Sequence, residues 1–216
     1  MSYAGDAPRF VVVEGPIGVG KTSLTKRLAE SLGGETLLEG AEENPFLERF
    51  YQNPEQGALP TQLFFLFQRA RQLQELRQSD LFAPVRVADF MMEKDRLFAQ
   101  LTLADDELRL YELAYNSITL DVPQPDLVIY LQAPVNVLLS RVQKRGRLFE
   151  QNVDAGYLSK LVDAYTRFFH YYSDSPLLIV NAAEIDLVNN ERDYEMLLQR
   201  VYKTRSGRHY FNPLPF

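Results

Sequence analysis

Eight residues near the start of the chain carry the clearest chemistry: Gly15-Pro16-Ile17-Gly18-Val19-Gly20-Lys21-Thr22, a full G-x-x-x-x-G-K-T match. Gly15, Gly18 and Gly20 let the backbone fold into a nest of N–H groups around a triphosphate, and a helix N-terminus straight after them adds its positive end. Lys21 then reaches the β- and γ-phosphates, Thr22 a magnesium ion, and Ser23 joins the nucleotide-binding set. The mechanism needs an apolar strand before the loop and an amphipathic helix after it. Both are present: residues 10–13 are an apolar run, and Leu24, Leu28 and Leu32 recur at helical spacing. Two more carboxylates fall at predicted strand ends, Glu39 closing a strand over 35–39 and Asp89 closing one over 84–89. Ligands of open parallel sheets bind at those ends. The loop alone fits an ATPase, a GTPase or a kinase.

Residues 126–131 and 177–180 read as buried strands, which makes five strands in all. Helices are predicted from Asn44-Pro45 onward with Pro at the first helical position, over 61–78 after a break at Asn53-Pro54 and 57–60, and over 93–101, 105–120, 134–144, 153–172 and 193–202. Strands alternating with helices, with no repeat or linker, predict one doubly wound α/β domain over 1–216. The tail, 207–216, is aromatic and proline-rich. It could be a docked strap, a contact with another subunit or disordered, and docking is favoured because its apolar side chains would otherwise be exposed.

Composition narrows the partners. A net charge of -6 argues against a nucleic-acid partner, which needs clustered Lys and Arg. There is no cysteine and only two, well separated, histidines, so neither a disulfide nor a zinc cluster is expected. No signal peptide and no apolar run approaching a membrane span is visible, so a cytoplasmic protein without a membrane partner is expected.

Over residues 10–187 the chain resembles the deoxynucleoside kinase family, especially its bacterial deoxyadenosine and deoxyguanosine kinase branch. The residues that carry the resemblance are the glycine loop, Glu39, Asn44-Pro45-Phe46-Leu47 with Phe50-Tyr51, Gln62 seven residues before Arg69, Ala88-Asp89-Phe90 with Asp95-Arg96, and Arg141 with Arg145-Gly146-Arg147 and Glu150. The resemblance implies a P-loop kinase fold, its five-stranded parallel sheet in the order 2-3-1-4-5 with helices on both faces and an arginine-rich lid over about 141–152. It implies transfer of the γ-phosphate of ATP, with Mg2+, to the 5′-hydroxyl of a deoxynucleoside, here a deoxypurine, and a homodimer.

Residue roles come with it. Glu39 matches the general base, and Asp89 with Thr22 the magnesium site. Arg141, Arg145 and Arg147 match a lid whose cationic forks close over the phosphates. Gln62 and Arg69, two helical turns apart and so on one face, match residues that hydrogen-bond the base, with Asp95 completing the set. Tyr51 and Glu150 match the pair that holds the 3′-hydroxyl, and Phe46, Phe65 and Phe98 sandwich the base. Glu42 and Glu43 read as surface charges. One departure stands out: many family members carry an arginine where this chain has Phe90, which puts more demand on the lid arginines.

Two rival readings share the loop. A nucleoside monophosphate kinase of the thymidylate type needs extra cations for the acceptor phosphate, whereas Arg69 is the only cation expected on the acceptor side here. A catalytically silent nucleotide-binding subunit is opposed by the intact Lys21, Thr22, Glu39 and Asp89.

Overall fold

Strand β1 (Phe10–Glu14) is buried along its whole length, as befits the centre of a parallel sheet covered on both faces. The computed structural model describes residues 7–78, 84–118 and 123–212. Five further strands join β1: β2 (Glu35–Leu37), β3 (Arg86–Ala88), β4 (Leu127–Gln132), β5 (Leu177–Asn181) and β6 (Arg208–Phe211). The order is β2-β3-β1-β4-β5-β6, and each neighbouring pair is parallel, with Val12 set between Ala88 and Val128.

Alternation along β1 sorts the core into two layers. Val11 and Val13 face the side packed by α1 (Lys21–Ser31), α6 (Val135–Arg145) and α8 (Glu191–Lys203), through Leu24, Leu28, Leu138, Val142 and Leu197. Phe10 and Val12 face the other side, where α3 (Pro54–Gln78), α4 (Glu93–Thr102), α5 (Asp105–Ser117) and α7 (Ala155–Tyr171) supply Leu66, Leu97, Tyr111, Tyr165 and Phe169. The short α2 (Leu47–Gln52) lies against α3 at one end of the sheet.

The expected order 2-3-1-4-5 is present, and a sixth strand extends it. The tail is docked as β6: Phe211 packs into the core while Tyr210 stays 67% exposed. Arg208 Nη2 donates to the carbonyls of Phe169, His170 and Tyr172 at 2.9, 2.8 and 3.2 Å, tying the strand to the end of α7. Residues 213–216 of the tail lie outside the described residues, as do 119–120 of the helix expected over 105–120.

The break expected at Asn53-Pro54 is present, as α2 ends at Gln52 and α3 begins at Pro54, but the one expected at 57–60 is overturned, because α3 runs through Gly57 and Pro60. Gly57 is where α2 presses on α3, since a Cβ there would stand 2.5 Å from the backbone of Phe50. A pattern that signals a breaker in one helix here serves the crossing of two. Helix α2 in turn starts at Leu47, after Pro45, with Phe46 as its cap residue.

Candidate active site

The glycine loop joins β1 to α1 in the conformation its residues demand. Gly15, Gly18 and Gly20 have φ of 148°, 84° and 104°, a region side chains avoid. A Cβ at Gly15 would come within 2.5 Å of the Leu131 carbonyl, and one at Gly18 within 2.7 Å of the Leu138 carbonyl. Gly20 caps α1 without any side-chain hydrogen bond, and no acidic residue stands in the first turn. The first N–H groups of the helix therefore remain donors toward an anion.

Lys21 curls over the loop, donating to the carbonyls of Gly15 at 2.7 Å and Pro16 at 3.3 Å. Burial, with the nearby Lys94 ammonium, lowers its pKa to about 8. Below it, Glu14 is fully buried. Its two oxygens accept the N–H of Gly15 at 3.0 Å, the N–H of Met91 at 3.1 Å and the hydroxyl of Tyr165 at 3.0 Å.

Asp89 stands one residue beyond β3 and Glu39 two beyond β2. Asp89 accepts the Thr22 hydroxyl at 2.6 Å on one oxygen and the backbone N–H of Glu39 at 2.7 Å on the other. The Glu39 side chain meets two cations, Arg69 on Oε1 and Lys94 on Oε2, the latter at 2.9 Å. Burial alone would raise the Glu39 pKa, but the charges and hydrogen bonds of Arg69 and Lys94 outweigh it and hold the carboxyl well below the usual carboxylate range.

These groups border a cavity of about 410 Å³ that opens from the glycine loop toward α2, α3 and α4. It gathers most of the residues named from the sequence. Gly18, Gly20, Lys21, Thr22, Ser23, Glu39 and Asp89 line its phosphate-loop end. Tyr51, Gln62, Phe65, Arg69 and Phe98 line the rest, and Arg145, Arg147 and Glu150 close its rim. Arg69 lies under the ring of Phe65, 5.1 Å from its centre. Gln62 donates to the Thr102 hydroxyl at 3.2 Å. Arg145 grips Glu150 with two nitrogens, at 2.6 and 3.1 Å, and Arg147 pairs with Glu42 at 3.0 Å.

Four of the expected residues stand elsewhere. Gly15 lies beneath the loop, against Leu131. Asp95 is fully buried behind Arg69, Oδ1 to Nη1 at 2.5 Å, so its contact with the cavity runs through the guanidinium. Phe46 does not border the cavity, and its ring sits beside Arg49 at 5.5 Å. Arg141 points to the opposite side of the loop, donating to the Ala182 carbonyl at 2.8 Å. There it borders a second hollow of about 610 Å³, between the glycine loop, Lys144 and the turn after β5.

Sequence reasoning missed three residues. Lys94 is 5% exposed and reaches into the cavity beside Glu39. It made the expectation of Arg69 as the only acceptor-side cation wrong, because the run Glu93-Lys94-Asp95-Arg96 looks like a solvated helix start and nothing local announces its burial. The available signal was spacing: Lys94 lies one turn before Phe98 and on the same face, 5.6 Å from that ring. Tyr157 also lines the cavity, edge-on to Tyr51 at 6.4 Å. Glu14 is the third. Phe90 itself is fully buried in the core, away from the cavity. Glu42 and Glu43 are exposed, at the cavity rim.

A family model described as deoxynucleoside kinase matches residues 11–205. The chain is 34% identical over 200 residues to the deoxyguanosine kinase of Bacillus subtilis, covering 89% of this chain and 95% of that protein. It is 31% identical over 207 residues to the deoxyadenosine kinase of Lactobacillus acidophilus, covering 89% and 94%. Among solved structures, it is similar to deoxyadenosine kinase from M. mycoides with dCMP and dCDP bound, at 25% identity and a TM-score of 0.78, covering 90% of this chain and 99% of that one. The same enzyme with dATP bound gives 25% identity and a TM-score of 0.77 over 89% of this chain and 98% of that one.

Proposed function

This chain belongs to the deoxynucleoside kinase family, and we propose that it transfers the γ-phosphoryl group of ATP to the 5′-hydroxyl of a deoxypurine nucleoside, from a single domain over 1–216. The observation that carries this reading is Asp89, whose two oxygens hold Thr22 of the phosphate loop and the backbone of Glu39. A donor-phosphate cradle and an acceptor-side carboxylate are thereby bolted to each other across the tips of β1, β2 and β3.

The residues act as follows. The nest of Gly15 to Gly20 and the N-terminus of α1 receive the phosphates of ATP, and Lys21 supplies a positive charge there. The hydroxyl of Thr22 and the carboxylate of Asp89 are hard oxygen donors, 2.6 Å apart, and fit Mg2+. When bound, magnesium neutralises charge on the phosphates. The acceptor 5′-oxygen forms a bond to the γ-phosphorus as the bond to the β-phosphate oxygen breaks, the electron pair leaving with ADP. Glu39 takes the hydroxyl proton. A carboxylate held this low is a weak base, which suits a loose transition state in which the hydroxyl gives up its proton late. Arg145 and Arg147 stand at the rim, where cations face the phosphoryl oxygens as a lid closes; Arg141, across the loop, faces the donor side.

On the acceptor side, Gln62 and Arg69 read the base with Asp95 behind them, Phe65 and Phe98 flank it, and Tyr51 with Glu150 holds the 3′-hydroxyl. Two cations stand here instead of the one expected, but Arg69 and Lys94 are both paired with Glu39, and Arg69 with Asp95 as well. An acceptor phosphate would have to compete with those carboxylates, so a neutral nucleoside is favoured over a nucleoside monophosphate. The relatives named for deoxyguanosine and deoxyadenosine favour purines.

The test is ATP-dependent phosphorylation across the four deoxynucleosides and dTMP, with and without Mg2+. Deoxyguanosine or deoxyadenosine should exceed thymidine in kcat/KM, and dTMP should not react. Preferred turnover of dTMP would replace this reading with the monophosphate kinase, and absence of all turnover with the silent subunit. A cytoplasmic homodimer without nucleic-acid or membrane partners belongs to the same reading, supported by the family and the acidic composition; mass measurement in solution checks the dimer. Among the described residues no helix is long and apolar enough to cross a membrane.

A further inference from the structure

Lys94 is a buried charge to which the steps above give no task. Each oxygen of the Glu39 carboxylate has a cation of its own, Arg69 on Oε1 and Lys94 Nζ on Oε2 at 2.9 Å. The two cations are not equivalent. Arg69 is clamped from behind by Asp95 at 2.5 Å and stacked on Phe65, so it is held whether or not Glu39 is present. Lys94 pairs with Glu39 alone among the ion pairs of the described residues.

That asymmetry matters because a buried lysine is a poor device for stability. Its desolvation has to be offset by carboxylates, Glu39 in direct contact at 2.9 Å and Glu14 at longer range, whereas an apolar residue of similar volume would fill the same space without that penalty. The side chain projects from the first turn of α4, is 5% exposed, and borders the cavity next to Lys21 and Glu39. A carboxylate has about four lone-pair sites. Arg69 and Lys94 take one on each oxygen, which fixes the carboxylate plane against rotation and leaves the remaining sites for an acceptor hydroxyl.

We propose that Lys94 is a positioning residue for phosphoryl transfer, which acts through Glu39 by pinning Oε2 so that the carboxylate plane faces the acceptor hydroxyl. A misdirected base loses rate without losing substrate affinity, because the nucleoside is held by other side chains in the same cavity. The inference rests on the reading of Glu39 as the base of a nucleoside kinase.

The test is a double-mutant cycle on the full chain: wild type, K94M, E39Q and E39Q/K94M, with K94R alongside, assayed with deoxyguanosine and ATP-Mg2+. We expect K94M to lose about 10²-fold in kcat, in line with the contribution of a placed general base, with nucleoside KM changed less than about threefold. K94R, which restores a cation, should recover most of the rate. E39Q/K94M should be no slower than E39Q, since a residue that acts through Glu39 has nothing left to position. Multiplying losses in the cycle, or a K94M defect that falls in KM, would overturn the proposal. If K94M does not fold by circular dichroism, K94L, which likewise removes both the donor and the charge, carries the same comparison. A wild type inactive on every deoxynucleoside would sink the functional reading; an active wild type with an additive cycle sinks only the role of Lys94.

Discussion

The hydroxyl of Thr22 donates to the carboxylate of Asp89 at 2.6 Å, from the first turn of α1 to the residue just beyond β3. A hydroxyl and a carboxylate side by side, at a glycine loop, offer two oxygen ligands to a hard cation, the rest of its octahedral shell being left to phosphate oxygens and water. Asp89→Asn keeps the shape and gives up the charge, so the Mg2+ concentration for half-maximal rate should rise several-fold. An unchanged magnesium titration would reduce Asp89 to a brace for the Glu39 backbone.

Lys21→Ala should cost about 10² to 10³ in kcat while leaving the circular dichroism spectrum intact, because single electrostatic groups aimed at developing charge contribute that much. Its hydrogen bonds run only to loop carbonyls, so the fold does not depend on it. A folded variant within tenfold of wild type would move the catalytic centre elsewhere.

Gly18→Ala and Gly20→Ala separate backbone strain from steric contact. Both positions have positive φ, but a Cβ at Gly18 meets Leu138 O at 2.7 Å and Val142 Cγ2 at 2.9 Å, whereas one at Gly20 meets nothing within 4 Å. Strained backbone of this kind costs on the order of 1–3 kcal/mol. Gly18→Ala should therefore lower the urea midpoint more than Gly20→Ala; equal midpoints would mean that α6 yields to the methyl group.

Asp95 is fully buried, and its carboxylate is the support behind Arg69. Breaking a buried pair by removing one partner typically costs about 3–5 kcal/mol. Asp95→Asn should lower the denaturation midpoint and raise nucleoside KM more than it lowers kcat, since Arg69 loses its fixed direction. An unchanged KM in a destabilised variant would leave Asp95 a purely structural residue.

Glu150 is 6% exposed and held by Arg145. If it grips the 3′-hydroxyl with Tyr51, Glu150→Gln should narrow the kcat/KM gap between deoxyadenosine and 2′,3′-dideoxyadenosine. A gap that stays as wide in the variant would assign the hydroxyl to another partner.

What was legible in the chain followed short-range rules. The glycine loop, the strand-end positions of Glu39 and Asp89 and the two-turn spacing of Gln62 and Arg69 are local patterns, and the cavity gathers them all but for Gly15 at the start of the loop. What was not legible depends on which neighbour a residue meets across the fold. Gly57 and Pro60 spell a break, yet α2 packs on Gly57 and the helix continues. Lys94 has the composition of a surface residue and the surroundings of a buried one. Arg141, Arg145 and Arg147 look like one lid, but Arg141 is tied by its hydrogen bond to the Ala182 carbonyl, beyond β5, and borders only the second hollow, whereas Arg145, one turn on at the end of α6, borders both. The tail became a strand because β5 offered an open edge, which a reading of residues 207–216 alone does not contain.

Glu14 changes how the glycine loop is to be thought of. Its carboxylate joins the loop's first N–H to the Tyr165 hydroxyl, 151 residues later in the chain, and to the N–H of Met91, 77 residues later. Contacts of such long sequence separation close late in folding. Without α7 in place this carboxylate has no hydroxyl partner beside the loop. An excised strand–loop–helix peptide would thus retain the motif and lack the grip: eight residues are enough to name a nucleotide cradle, and three-quarters of the polypeptide must be in place before it is rigid.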